Sequence, residues 1–235
     1  MSHVCIEDPL LAFLHIGGEI MQRITKAAFV TFILMLPSAQ AAPAFTALPT
    51  PFETRNGPVV WEATGPDALV IKAGPKTNWF VAPWNNKLAD DNVPTLLFKP
   101  EGNFSLSTKI SLAPLKRWDS GALTLFIDKD NWAKLCLENA NDDGKLTVVM
   151  VVNRGDSDDS YTTMIAADKT LYLKVSRNNT GFYFHASPDG KTWTMLRAFS
   201  LKGDLAKLRA GLLAQSPVGD GMTVNFSDIR YTPGK

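Results

Sequence analysis

Residues 132–138 read Trp-Ala-Lys-Leu-Cys-Leu-Glu, and the alternation within this stretch decides the fold class of the chain. Successive side chains of a β-strand point to opposite faces. One face of this stretch would carry three apolar residues, Ala133, Leu135 and Leu137. The other face would carry an aromatic ring, a cation, a thiol and an anion, on Trp132, Lys134, Cys136 and Glu138. The pattern predicts a strand that turns its apolar face to a core and carries its polar groups on the opposite face.

Similar short apolar segments recur along the chain at spacings of about ten residues, which is typical of antiparallel sandwiches and barrels. The predicted strands are 68–73, 78–82, 103–112, 121–128, 132–138, 145–152, 161–166, 170–177, 181–187, 192–199, 208–215 and 222–231. The turns agree, because Asp-Asp-Gly at 142–144 and Pro-Asp-Gly at 188–190 place glycine where a hairpin needs a positive φ. Only 203–208 favours a short turn of helix. These features predict an all-β domain.

A signal-peptide pattern precedes the predicted domain, at residues 21–41. Arg23 and Lys26 form a positive beginning, the apolar run 27–36 follows, and Ala-Gln-Ala at 39–41 provides a cleavage site. The run has about ten residues, too few to cross a hydrocarbon core as a helix, so a membrane anchor is the weaker interpretation. We therefore predict an exported protein, periplasmic or secreted, whose natural start is Met21 and whose residues 1–20 are a non-native extension.

The rest of the chain divides into a Pro-rich lead-in at 42–58 and one sandwich domain at 59–235. The 24 basic and 23 acidic residues nearly balance, so the charge gives no indication of binding to nucleic acid or to an anionic membrane. Cys5 lies before the predicted cleavage site, which leaves Cys136 without a disulfide partner. The domain must therefore depend on its apolar core, and Cys136 is interpreted as an inert thiol rather than a catalytic one.

The mixed face of 132–138 offers a binding chemistry suited to sugars. The Trp132 ring could stack on the apolar face of a sugar, with Lys134 and Glu138 bonding to its hydroxyls. The alternative is a structural Lys–Glu pair covered by the ring. Arg177 ends a strand whose neighbours look buried, and a buried arginine needs a carboxylate, for which Glu138 is one candidate.

Other chemistries have weaker support. The acidic segments 156–159 and 139–143 carry oxygen ligands but lack the spacing of a calcium loop. His185 is the only histidine after residue 41, so a histidine metal centre or a Ser-His triad is not expected. No metal site and no cofactor are predicted. Glycoside hydrolysis needs two facing carboxylates, so Glu138 would require an Asp from another strand.

From about Trp61 to Tyr231 the chain resembles a domain-of-unknown-function family that has the concanavalin A-like lectin/glucanase fold. That family is related to the regulator-of-enolase proteins and to the C-terminal domains of some β-xylosidases. The matching pieces are Thr77-Asn-Trp-Phe80, Asp119-Ser-Gly-Ala-Leu123, Trp132-x-Lys134-x-x-x-Glu138, Val151-Val-Asn153, Ser157-Asp158, Leu173-Lys-Val-x-Arg177, Ser187-x-Asp-Gly-x-x-Trp193-x-x-x-Arg197 and Gly211-x-x-Ala214-x-Ser-Pro-x-Gly219. The chain departs from the family pattern at one point. The pattern usually has an aromatic residue soon after the position of Asp158, and here Asp159-Ser160-Tyr161 shifts that aromatic.

The resemblance implies a two-sheet antiparallel jelly-roll sandwich with one concave face. It places the matched polar positions around that face: Lys134, Glu138, Asn153, Asp158 and Arg177. The leading hypothesis is a non-catalytic domain that binds carbohydrate or another cell-envelope ligand there, with Trp132 stacking on it. A glycoside hydrolase using Glu138 and an Asp, or a structural or protein-interaction domain, are the alternatives.

Overall fold

Strands make up most of the protein in a computed structural model, which describes residues 44–85, 88–114 and 116–234. The predicted signal peptide and the extension before it lie outside the described residues. The strands are β1 (Glu53–Arg55), β2 (Val60–Gly65), β3 (Ala68–Ala73), β4 (Trp79–Val81), β5 (Ala89–Asp91), β6 (Thr95–Phe98), β7 (Phe104–Leu112), β8 (Ser120–Asp128), β9 (Asn131–Glu138), β10 (Thr147–Arg154), β11 (Ser157–Ile165), β12 (Thr170–Asn178), β13 (Gly181–Ser187), β14 (Thr194–Phe199), β15 (Arg209–Gln215) and β16 (Met222–Pro233). Two short 3-10 helices are Ala167–Lys169 and Leu205–Lys207. None of the helices in this part of the chain has the length and apolar character that a membrane crossing requires.

The strands form two large antiparallel sheets. The first sheet has the order β1-β6-β15-β8-β9-β10-β11, and the second has the order β14-β13-β12-β7-β16-β3-β2. Strands β4 and β5 pair separately. The predicted all-β, two-sheet antiparallel sandwich is confirmed, and each of the predicted segments contains a strand.

Four strands escaped prediction, for reasons of composition. β1 and β5 are three residues each and mostly polar, and β6 is four residues between Pro94 and Pro100. β2 alternates exposed and half-buried residues at the sheet edge, where little apolar surface is required. Edge strands and short strands carry a weak hydrophobic pattern, because they bury little side-chain area.

The core lies between the two sheets and takes the face of β9 that the alternation predicted. Ala133, Leu135 and Leu137 are fully buried in it. The Pro-rich lead-in lies along the edge of the sandwich from Phe45 onward. Leu48 is buried in the core, and β1 pairs with β6 in the first sheet.

The outward face of the first sheet is partly covered by residues 75–85 and 88–93, which we call the flap. Strands β4 and β5 belong to the flap, and its Trp79 ring stacks on Trp132 with centroids 4.2 Å apart. The Arg55 guanidinium lies over Trp79 at 4.4 Å. The Val81 amide also donates to the Ser157 hydroxyl of β11, at 2.9 Å. These contacts create a second apolar cluster outside the sheet, which explains why β9 is buried on both faces.

Candidate functional site

A pocket of about 270 Å³ opens between the first sheet and the flap. Its lining combines aromatic rings with polar and charged groups. The lining residues are Asn78, Phe80 and Trp84 of the flap, Trp118 of the loop before β8, Lys134 and Glu138 of β9, Val149 and Val151 of β10, Asp159 and Tyr161 of β11, and Gln215 of β15.

Strand register brings the sheet residues of the pocket onto one face. Val151 of β10 lies opposite Lys134 on one side and opposite Asp159 on the other. Val149 lies in the same way between Cys136 and Tyr161. Because side chains on one face repeat every second residue, the two rows point outward together beneath the flap.

The floor of the pocket carries buried charge. Lys134 is 2% exposed, and its ammonium donates to the Gln215 amide oxygen at 2.9 Å. Burial raises the pKa of Glu138 to about 7, and the Asp159 charge adds to this rise while the Lys134 ammonium opposes it. Burial and the carboxylates of Glu138 and Asp159 also raise the pKa of the Tyr161 hydroxyl. Glu138 is therefore a carboxyl that exchanges its proton near neutral pH.

Aromatic rings form the rim of the pocket. The Trp84 side chain is 73% exposed, and its ring lies 6.1 Å from that of Phe80 at an angle of 45°. Trp118 has a φ of 66°, which is rare for a bulky residue, and its amide donates to the Asn139 carbonyl at 2.9 Å. Backbone strain of this kind concentrates at ligand sites. Rings above a few convergent polar groups are the usual anatomy of a small-molecule site.

Two of the predicted site residues, Lys134 and Glu138, lie together in this pocket. The predicted stacking role of Trp132 is wrong. Its ring is 0% exposed beneath Trp79, and its indole N–H has no hydrogen-bond partner among the described residues. A ligand cannot reach Trp132 while the flap covers it. The exposed rings of the pocket are those of Trp84 and Tyr161, and Trp84 is the more exposed of the two.

Asn153 lies on the same outward face as Trp132, but its side chain is used within the fold. It is fully buried, and its amide donates to the Asp130 carbonyl at 2.9 Å. Its oxygen accepts from the Ser157 hydroxyl at 3.1 Å. These two bonds hold the β10–β11 turn against the neighbouring loop, so Asn153 is a structural residue and its predicted ligand contact is wrong.

The predicted placement of Asp158 and Arg177 around the ligand face is also wrong. Asp158 lies opposite Val152, whose side chain faces the core, and it pairs with Arg197 of β14 at 2.5 Å. Arg177 belongs to β12 in the second sheet and donates to the Asn179 carbonyl at 2.8 Å. The proposed Glu138–Arg177 ion pair is absent from the described residues, because the two side chains belong to different sheets.

Sequence reasoning missed most of the pocket. Asp159 and Tyr161 differ from the predicted Asp158 by one and three residues, and the parity of β11 decides which of them face the ligand side. Trp84 follows Pro83 in a polar stretch, and a tryptophan in such a stretch was the signal that the sequence offered. The structure shows that its side chain is exposed. Gln215 gave no signal, because its role depends on the position of β15 beside β8.

The described residues offer little for metal or thiol chemistry. No group of three or more His, Cys, Asp or Glu side chains in residues 44–85, 88–114 and 116–234 is arranged to hold a metal ion. Cys136 is a free, fully buried thiol, and burial raises its pKa to about 12. It is therefore protonated at neutral pH and unsuited to act as a nucleophile.

Solved structures share this fold. A functionally unknown protein from Saccharomyces cerevisiae is 20% identical with a TM-score of 0.68, over 78% of this chain and 97% of that one. A mutant of the GH43 protein BlXynB from Bacillus licheniformis is 19% identical with a TM-score of 0.56, over 74% of this chain and 34% of that one. A xylan β-1,4-xylosidase from Bacillus halodurans C-125 is 14% identical with a TM-score of 0.55, over 70% and 32%.

In the last two cases the chain spans about one third of the longer protein. At these identities the likeness shows the fold alone. No curated protein sequence matches this chain. The predicted relation to regulator-of-enolase proteins stays a prediction. Residues 55–234 match the family described as protein of unknown function (DUF1349), and this match covers most of the chain. The chain therefore belongs to the DUF1349 family.

Proposed function

We propose that this protein is an exported domain that binds carbohydrate in the pocket between the first sheet and the flap. One observation carries the proposal: the exposed Trp84 ring stands beside a buried polar floor of Lys134, Glu138 and Gln215. The export part rests on the signal-peptide pattern of residues 21–41.

A sugar ring has apolar C–H faces and hydroxyls at its edge, and the pocket matches both. Trp84 supplies an aromatic surface at its mouth, and aromatic rings contribute much of the binding energy at such contacts. Glu138 can accept a hydrogen bond when ionised and donate one when protonated, and its pKa near 7 makes both forms accessible. The Gln215 amide and the Asn78 side chain of the flap add further polar contacts.

Trp84→Ala is expected to weaken glycan binding about tenfold or more, which corresponds to about 1.4 kcal/mol of lost stacking. The measurement is a glycan array followed by pull-down with insoluble polysaccharides, using protein recovered from the exported fraction. An N-terminus at Ala42 in that fraction would support export. Trp193→Ala is the matched control, because Trp193 packs on Lys174 of the second sheet, away from the pocket.

Trp193→Ala should bind as the unaltered protein does. If both variants lost binding equally, the pocket assignment would be wrong. If the unaltered protein retained no glycan of any class, the carbohydrate proposal itself would fail.

A second candidate function is glycoside hydrolysis. The observation in its favour is that Glu138, whose pKa is raised to about 7, shares the pocket with the carboxylate of Asp159. A protonated and an ionised carboxyl in one cleft are the pair that glycosidases use as acid and as base or nucleophile. Glu138→Gln should then lower the release of reducing ends from a cleaved polysaccharide by about a hundredfold or more. Complete absence of turnover by the unaltered protein on all bound glycans would exclude this role.

A further inference from the structure

We infer that the pocket prefers a sugar that carries a positive charge, namely an amino sugar with a free ammonium group. This inference rests on the proposed carbohydrate function and specifies its ligand class. Two independent properties of the pocket support this inference. They are the balance of the charges in its lining and the number of aromatic side chains there.

The charge balance of the pocket is negative when both carboxylates are ionised. Its lining has one cation, Lys134, against Glu138 and Asp159, with Tyr161 neutral. The Lys134 ammonium is buried and donates to Gln215, so it is a fixed part of the floor. Asp159 is half-buried and makes no ion pair with a cation among the described residues. Arg117 lies outside the lining, where its guanidinium packs on the Trp118 ring and donates to the Ala140 carbonyl, and its charge acts on Glu138 more weakly than that of Lys134 does.

The rings add a second attraction for a cation. Four aromatic side chains line the pocket: Phe80, Trp84, Trp118 and Tyr161. An ammonium near the face of such rings gains about 0.5–2 kcal/mol, and proteins recognise choline and methylated lysine through cages of aromatic rings. A neutral sugar would use the rings for stacking only. A sugar carboxylate would instead face the charges of Glu138 and Asp159.

Three β-1,4-linked disaccharides test the inference, because they differ mainly in the substituent at C2. They are the disaccharides of glucosamine, of N-acetylglucosamine and of glucose, titrated calorimetrically at about pH 7.5, where Glu138 is mostly ionised and much of the free amine is still charged. The glucosamine disaccharide should bind about tenfold more tightly than the glucose disaccharide. This preference should shrink as salt is added, whereas binding of the neutral sugars should not change.

Asp159→Asn should remove the preference for the amino sugar while leaving the affinity for the glucose disaccharide within about twofold. Asp158→Asn is the matched control, because it alters the adjacent residue on the opposite face of β11. It should keep the preference. Equal loss in both variants, or equal affinity for the amino and the glucose disaccharides, would overturn the inference. If the affinities for the two disaccharides were equal but binding still depended on Trp84, the proposed carbohydrate function would remain intact.

Discussion

Trp132→Ala is expected to lower the free energy of unfolding by about 3–5 kcal/mol, the range for removing a fully buried aromatic ring. The ring is 0% exposed and stacks on Trp79 at 4.2 Å, so its loss leaves a cavity beneath the flap. Urea unfolding followed by circular dichroism measures the change. The pocket residue Trp84, which is 73% exposed, provides the contrast, because Trp84→Ala should change the free energy of unfolding by less than about 0.5 kcal/mol.

Trp132→Phe separates packing from hydrogen bonding. It keeps most of the ring and removes an indole N–H that has no hydrogen-bond partner among the described residues. It should therefore recover most of the stability that Trp132→Ala loses. Equal stability of Trp132→Ala and the unaltered protein would mean that the flap does not pack on this face in solution. The assignment of a pocket between the flap and the first sheet would then be wrong as well.

Glu138→Gln is expected to raise the free energy of unfolding by about 3 kcal/mol at pH 9 and to leave it unchanged at pH 4. Burial raises the pKa of Glu138 from 4.5 to about 7 in the folded protein. Between these values the folded state holds a proton that the unfolded state has released. The stability contributed by protonated Glu138 is therefore present below pH 4.5 and is lost as pH rises through 7. Glutamine, which stays neutral, avoids this loss.

The measurement is the free energy of unfolding of both proteins across this pH range. Glu62→Gln is the control, because Glu62 is exposed on β2 of the second sheet, and its curve should follow that of the unaltered protein. If the free energies of unfolding of Glu138→Gln and the unaltered protein varied with pH in parallel, Glu138 would ionise as an ordinary exposed carboxyl. Its assignment to a buried pocket floor would then be wrong. A group that lowers stability at neutral pH is a characteristic of binding and catalytic sites.

Local patterns in the sequence determined most of the fold. The alternation in 132–138 assigned Ala133, Leu135 and Leu137 to the core, because an extended backbone points successive side chains to opposite faces whatever lies around it. The hairpin turns were readable for a similar reason. Gly144 and Gly190 have φ of 73° and 70°, and such values are accessible to glycine without steric cost. The same alternation placed Lys134 and Glu138 on one outward face, where the structure has them.

Only the tertiary structure decided what that outward face does. The flap comes from residues about 50 positions before β9, and it buries Trp132 while leaving Trp84 exposed. The pairing of β10 with β11 turns Asp159, rather than Asp158, toward the pocket, and assignment of β12 to the second sheet removes Arg177 from it. Alternation says which residues share a face of one strand. Burial and neighbours depend on which distant segment packs against that face, and no local pattern contains this information.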